Sequence, residues 1–126
     1  MIYGIGVDIV KVERVREIVE KWGERFLHRV FTDQEIRYCY GKKSPYLSLS
    51  VRFAAKEACV KAVGSKLPVS LKDIEVVNDI FGKPAIKTYG NVDIFFREHF
   101  LQEAHLSLSH EKDYGIACVV IESDNP

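Results

Sequence analysis

Arg52-Phe53-Ala54-Ala55-Lys56-Glu57-Ala58-Cys59-Val60-Lys61-Ala62 is the stretch from which the fold and the chemistry of this chain are read. It predicts a helix, and side chains four apart on a helix share a face, so Glu57 and Lys61 stand together with Phe53 one turn before them. A carboxylate suits a hard divalent cation, and a lysine suits the phosphate oxygens such a cation holds. The alternative is an ordinary surface ion pair, a common arrangement that contributes little to stability.

Outward from that helix, the N-terminal run Met1-Ile2-Tyr3-Gly4-Ile5-Gly6-Val7-Asp8-Ile9-Val10 is apolar and β-branched and predicts a buried strand, which Asp8 interrupts. An ionised carboxylate in such a setting is costly unless it is paired or binds a metal. Asp8 could instead cap the next helix, although the helical pattern starts a few residues later, near Lys11. If Asp8 and Glu57 converge, they supply two oxygen ligands for magnesium, with room for water and substrate phosphates. Lys61 adds a fixed positive charge, and phosphoryl-type transfer follows from that arrangement.

The rest of the chain frames these segments. Val12, Val15, Ile18, Val19 and Trp22 recur at helical spacing, and Gly23 ends that helix. A short segment over 25–30 leads to Thr32-Asp33-Gln34-Glu35, a capping-box pattern that starts a helix reaching about Tyr40. Ser44-Pro45 offers an N-cap and a first-turn proline for the long helix, which stops near Gly64. Strands are predicted over 71–77 and 85–89, joined by the hairpin-like loop Asn78-Asp79-Ile80-Phe81-Gly82-Lys83-Pro84. Asn91 caps a helix through about Phe100, containing Ile94, Phe95 and Phe96. A final pair of strands, 104–109 and 114–121, turns at Glu111-Lys112-Asp113, and the tail 122–126 is frayed. No repeat or linker divides residues 1–126, so the expectation is one α+β domain with a mainly antiparallel sheet.

Composition narrows the class. The 126 residues suffice for one domain with a core, and 47% hydrophobic with 29% charged residues fits a soluble globular protein. The 18 basic and 18 acidic residues cancel, which gives no support for a nucleic-acid partner. Cys39, Cys59 and Cys118 are odd in number and widely spaced, which argues against a disulfide framework or a zinc site and for buried thiols of a reducing compartment. Without a signal-peptide pattern or a membrane-length apolar run, the expectation is a cytoplasmic protein with no membrane partner.

Gly4-Ile5-Gly6-Val7-Asp8-Ile9-Val10, together with Arg52 to Ala58 and Lys61-Ala62, resembles the holo-[acyl-carrier-protein] synthases, the small 4'-phosphopantetheinyl transferases. Phe81-Gly82-Lys83-Pro84 and Leu106-Ser107-Leu108-Ser109-His110, followed by an apolar strand, extend the likeness to about Ile121. The resemblance implies that coenzyme A donates its phosphopantetheine arm to a serine of an acyl carrier protein, releasing adenosine 3',5'-bisphosphate. Asp8 and Glu57 then hold Mg2+, and Lys61 contacts the phosphates or aids proton transfer. Either Glu57 or a water on the cation accepts the serine proton. Gly82, Lys83 and Pro84 touch the adenosine part of coenzyme A, although a glycine beside a proline is also a common turn. Ser109 and His110 lie near the 3'-phosphate, where a hydroxyl and an imidazole are useful donors. His28, His99 and His105 match no motif and read as structural.

In relatives of this size the implied assembly is a homotrimer with shared sites. One chain supplies Asp8, Glu57 and Lys61, and its neighbour supplies Gly82, Lys83, Pro84, Ser109 and His110. Phe95, Phe96 and Phe100 serve either that interface or the core. An acidic carrier needs a local basic face, for which Arg14, Arg25 and Arg29 are the candidates, set against an ordinary solvated helix face. The chain departs from the family pattern in Ser65-Lys66-Leu67-Pro68, which lacks a second glycine, and in a short segment around Lys42-Lys43-Ser44. Two other readings stand beside this one: a non-catalytic carrier- or nucleotide-binding module, which would be expected to lack the acidic pair, and a metal-dependent nucleotide hydrolase, which would use the same Asp8, Glu57 and Lys61 on a water nucleophile.

Overall fold

The apolar N-terminal run forms β1 (Ile2–Lys11), and α1 (Val12–Trp22) follows at once with Lys11 as its N-cap, so Asp8 sits inside the strand and caps nothing. The structure is a computed structural model that describes residues 1–64 and 68–124; the departure at Ser65-Lys66-Leu67 lies outside the described residues, as do Asn125 and Pro126. Gly23, at φ 56°, turns the chain into α2 (Glu24–Val30), a helical turn where the sequence predicts only a short connecting segment. Its stability comes from burying Leu27 and Val30 and not from periodicity, which seven residues cannot display. Thr32 then caps α3 (Asp33–Tyr40) with both bonds of the expected capping box in place. Pro45 opens α4 (Pro45–Val63), which Gly64 ends in the left-handed conformation that residues with a Cβ resist.

Beyond α4, a single 3-10 turn (Leu71–Asp73) occupies the start of the predicted strand, leaving β2 (Ile74–Asn78) to pair antiparallel with β3 (Pro84–Thr88). Then come α5 (Gly90–Glu98), β4 (Leu101–His110) and β5 (Tyr114–Ser123), the last reaching into the segment expected to fray. β5 lies at the centre of a second antiparallel sheet in the order β1-β5-β4. The fold is α+β with antiparallel pairing throughout, divided between two sheets.

α4 crosses the three-stranded sheet at unusually short range. Gly4 and Gly6 face it, and a Cβ on either would lie 1.9 Å from the carbonyl oxygen of Ala62 or Ala58. Gly115 of β5 allows the same approach, with Val51 N 2.9 Å from where its Cβ would sit. Around this seam Val15, Phe31, Leu49, Ala54, Ala58, Ile74, Val119 and Ile121 form the core. Lys56 and Glu35, both without solvent exposure, pair at 2.7 Å, and Lys56 also donates to the carbonyls of Leu71 and Ile74. That buried pair joins α4 to α3 and to the start of β2.

One expectation is overturned. β1 is not buried on both faces: Ile5, Val7 and Ile9 are 58%, 54% and 59% exposed. The helix covers only the side carrying Gly4, Gly6 and Asp8, and strand alternation turns the bulky residues outward.

Candidate active site

Asp8 is the third residue of the inward row that begins with Gly4 and Gly6. Because those glycines let β1 lie on α4 at Ala62 and Ala58, Asp8 meets the preceding turn of the helix, where Glu57 projects. Asp8 and Glu57 line one cleft of about 280 Å3 with Phe53, Arg14, Val15 and Ile18. Burial, followed by the nearby Asp8 carboxylate, pushes the Glu57 carboxyl above the ordinary carboxylate range, while Lys61 pulls it the other way.

Lys61 does not pair with its helix neighbour Glu57. Its ammonium donates to Asp8 Oδ1 at 2.9 Å and to the Val7 carbonyl at 3.0 Å. Helix spacing made Glu57 the expected partner, but the close strand offers Lys61 a carboxylate and a carbonyl together. Among the described residues Glu57 thus has no ion-pair partner, and it feels the Lys61 charge only at longer range. Among the described residues no three His, Cys, Asp or Glu gather into a metal cluster. The donor set is two hard carboxylate oxygens in an open cleft, which fits a magnesium ion that completes its shell with water and substrate oxygens.

The second set of expected residues stands elsewhere. In the 78–84 turn, Asp79 Oδ1 accepts from the backbone N–H groups of Phe81 and Lys83, each at 2.8 Å, and Gly82 adopts φ 84°. Lys83 and Pro84 line a cavity of about 220 Å3 that also includes Asp79, Glu103 and His105. His105 bonds Glu122 at 2.5 Å. The structural role that the sequence predicts for His105 is thus joined by a place beside Lys83, because the packing of the hairpin against β4 brings the two together. Ser109 and His110, both exposed, lie at the far end of β4. Within one chain, then, the cleft gathers Asp8, Glu57 and Arg14, with Lys61 on Asp8, and includes neither the 82–84 turn nor Ser109 and His110.

Arg25 and Arg29 line a larger groove of about 690 Å3 at α1 and α2, together with Ile18, Trp22 and Phe26. Ile18 also walls the acidic cleft, so the two depressions adjoin. Burial pushes the Cys59 thiol up to about 12 and raises Cys39 as well, which keeps both unreactive in the core.

Residues 4–119 match the 4'-phosphopantetheinyl transferase superfamily. The holo-[acyl-carrier-protein] synthase of Halothermothrix orenii is 49% identical over 97% of this chain and 98% of its own length. The chain belongs to this superfamily. A crystal structure of the Neisseria meningitidis holo-[acyl-carrier-protein] synthase matches it with a TM-score of 0.90 at 36% identity, covering 98% of this chain and 100% of that one. The Bacillus anthracis synthase, solved in complex with CoA (3',5'-ADP), matches with a TM-score of 0.78 at 40% identity over 98% and 99% of the two chains. Superfamily membership and fold thus agree with the resemblance drawn from the four sequence blocks. What those blocks do not convey is the task of Gly4 and Gly6, which let β1 lie against the backbone of α4 at Ala62 and Ala58.

Proposed function

We propose that this chain is a holo-[acyl-carrier-protein] synthase, a transferase that moves 4'-phosphopantetheine from coenzyme A to a serine of apo acyl carrier protein in support of fatty acid biosynthesis. Superfamily membership across nearly the whole chain supports the reaction, and the convergence of Asp8 and Glu57 in one cleft carries the assignment of the site. In the transfer, the serine oxygen forms a bond to the phosphorus attached to pantetheine. The diphosphate bridge breaks, adenosine 3',5'-bisphosphate leaves with the bond's electron pair, and the serine proton passes to a base.

Asp8 and Glu57 would hold the magnesium ion, which when bound offsets charge on the diphosphate. Lys61, steadied by Asp8 and the Val7 carbonyl, presents a fixed ammonium to the phosphates. The groove lined by Arg25 and Arg29 with Trp22 and Phe26 joins basic to apolar side chains, as an acidic carrier helix needs, and Arg14 extends that charge into the cleft. Because Ile18 walls both depressions, a carrier seated in the groove can reach the acids with its serine.

The turn at Gly82, Lys83 and Pro84, with Ser109 and His110, takes the nucleotide end of coenzyme A. Since these residues do not line their own chain's acidic cleft, the reading requires a neighbouring copy, and a homotrimer with shared sites meets that requirement. The outer sheet face favours it: exposed Ile5, Val7 and Ile9 pair across β5 with half-buried Val120, Cys118 and Ile116 to form a continuous apolar surface. Residues 1–126 act as one domain. Its three unpaired thiols suit a reducing cytoplasm, and no helix among the described residues is long and apolar enough to cross a membrane.

The test is to incubate the chain with apo carrier, coenzyme A and Mg2+ and to weigh the carrier by mass spectrometry. A gain of one phosphopantetheine per carrier, with equal release of adenosine 3',5'-bisphosphate, is expected. Cleavage of coenzyme A without carrier modification would instead make the chain a hydrolase, and no cleavage at all would leave a binding module.

A further inference from the structure

Arg52 presents a problem that stability does not solve. It is 4% exposed, has no carboxylate within ion-pair distance among the described residues, and its Nε is buried without a hydrogen-bond partner. The fully buried Lys56 follows one turn later, so a second cation is close by. A buried guanidinium placed this way costs free energy that an apolar side chain of similar size would not.

What Arg52 does make is directional. Its guanidinium stacks 3.9 Å from the ring centroid of Tyr38, and one terminal nitrogen donates to Asn78 Oδ1 at 2.7 Å. A guanidinium only donates, so it fixes which way the Asn78 amide faces: the oxygen towards Arg52 and the nitrogen away from it. That nitrogen donates at 3.0 Å to the carbonyl of Gly82, the residue at φ 84° immediately before Lys83. Arg52 thus reaches from α4, the helix of Glu57 and Lys61, to the turn that presents Lys83.

We infer that Arg52 is a positioning residue, which acts through Asn78 to hold the Gly82-Lys83-Pro84 turn in the shape that receives coenzyme A. The inference rests on the reading of that turn as a coenzyme A contact, and it adds a role for Arg52 and Asn78, which the resemblance leaves without one. A lysine would also donate to the amide oxygen, but only a planar guanidinium stacks flat on the Tyr38 ring while it does so, which holds the donor in place. The expense of burying Arg52 is then explained by the order it imposes on an otherwise exposed turn.

Lys83→Ala, Asn78→Ala and Arg52→Gln, with the two double variants that include Asn78→Ala, separate the possibilities. Steady-state kinetics, binding of adenosine 3',5'-bisphosphate and thermal melting are measured on each. Lys83→Ala should raise KM for coenzyme A; if it leaves both KM and nucleotide binding unchanged, the coenzyme A reading of the turn fails first. Given that rise, Asn78→Ala should raise KM roughly tenfold, as loss of a hydrogen bond involving a charged group does, with kcat within about twofold of the parent. An unchanged KM for Asn78→Ala would overturn the inference, as would a loss confined to kcat or melting temperature. Arg52→Gln should add little once Asn78 is already alanine, and Asn78→Ala little once Lys83 is alanine, because both act through one chain of contacts. Full additivity of Arg52→Gln and Asn78→Ala would mean that Arg52 acts independently. Should Arg52→Gln fail to fold, the Asn78→Ala and Lys83→Ala pair still decides the matter.

Discussion

Asp8, held by the Lys61 ammonium, and Glu57, unpaired among the described residues, carry the proposed chemistry at the scale of single residues. Glu57→Gln and Asp8→Asn keep shape and remove charge, so each should lower kcat/KM by more than the roughly 100-fold that follows loss of a metal ligand's mere supporting partner. Activity near the parent level at limiting Mg2+ would remove Glu57 from the metal site. The raised proton affinity of Glu57 has a second consequence, for stability without cation. Folding strengthens this carboxyl's hold on its proton, so its favourable contribution is complete below the ordinary carboxylate range and is lost as pH rises through the raised Glu57 value. In chelator at neutral pH, Glu57→Gln should therefore melt above the parent protein, and the two should converge in acid. Calorimetry across that range checks the sign, and a lower-melting Glu57→Gln protein at neutral pH would contradict it.

At the scale of elements, everything depends on how close β1 lies to α4. Gly6→Ala would place a methyl carbon 1.9 Å from the Ala58 carbonyl oxygen, a backbone atom that cannot swing aside. Overpacking of this kind costs about 1–3 kcal/mol, and the strand must also lift, carrying Asp8 away from Glu57. Urea melts and activity together should show transfer falling further than the unfolded fraction explains; parent-like activity at reduced stability would separate the seam from the site. Much of this element structure was legible beforehand. The capping box at Thr32, the Pro45 start and Gly64 stop of α4, and the hairpin around Asn78 to Pro84 all rest on local chemistry, and the structure keeps them. α2 escaped because burial of Leu27 and Val30 stabilises it, and the burial expected of β1 failed on one face because its bulky residues alternate outward, while the row against α4 begins with Gly4 and Gly6. Asp8, Glu57 and Lys61 were legible as a set. The Lys61–Asp8 bond and the approach of His105 to Lys83 were not, since each depends on packing between distant segments.

On the scale of the whole molecule, one chain separates the acidic cleft from Gly82, Lys83, Pro84, Ser109 and His110, and the proposed trimer would reunite them between neighbours. Glu57→Gln chains mixed with chains carrying Lys83→Ala and His110→Ala should regain activity once subunits exchange, because some interfaces then join two intact halves. Exchange proven by native mass measurement without any recovery would mean that each chain completes its own pocket. The apolar outer face of the β1-β5-β4 sheet has a further practical consequence. Cys118 lies on it, between Val7 and Ser107, while Cys39 and Cys59 are sealed in the core with thiols that burial keeps protonated. Among the described residues the chain thus carries a single addressable thiol, at the middle of the surface that a neighbour would cover. A thiol-reactive dye should label one site per chain in dilute solution and slow sharply as concentration rises, so the labelling rate would serve as a built-in gauge of free subunits without any engineered tag. A rate independent of protein concentration would show that this face stays open.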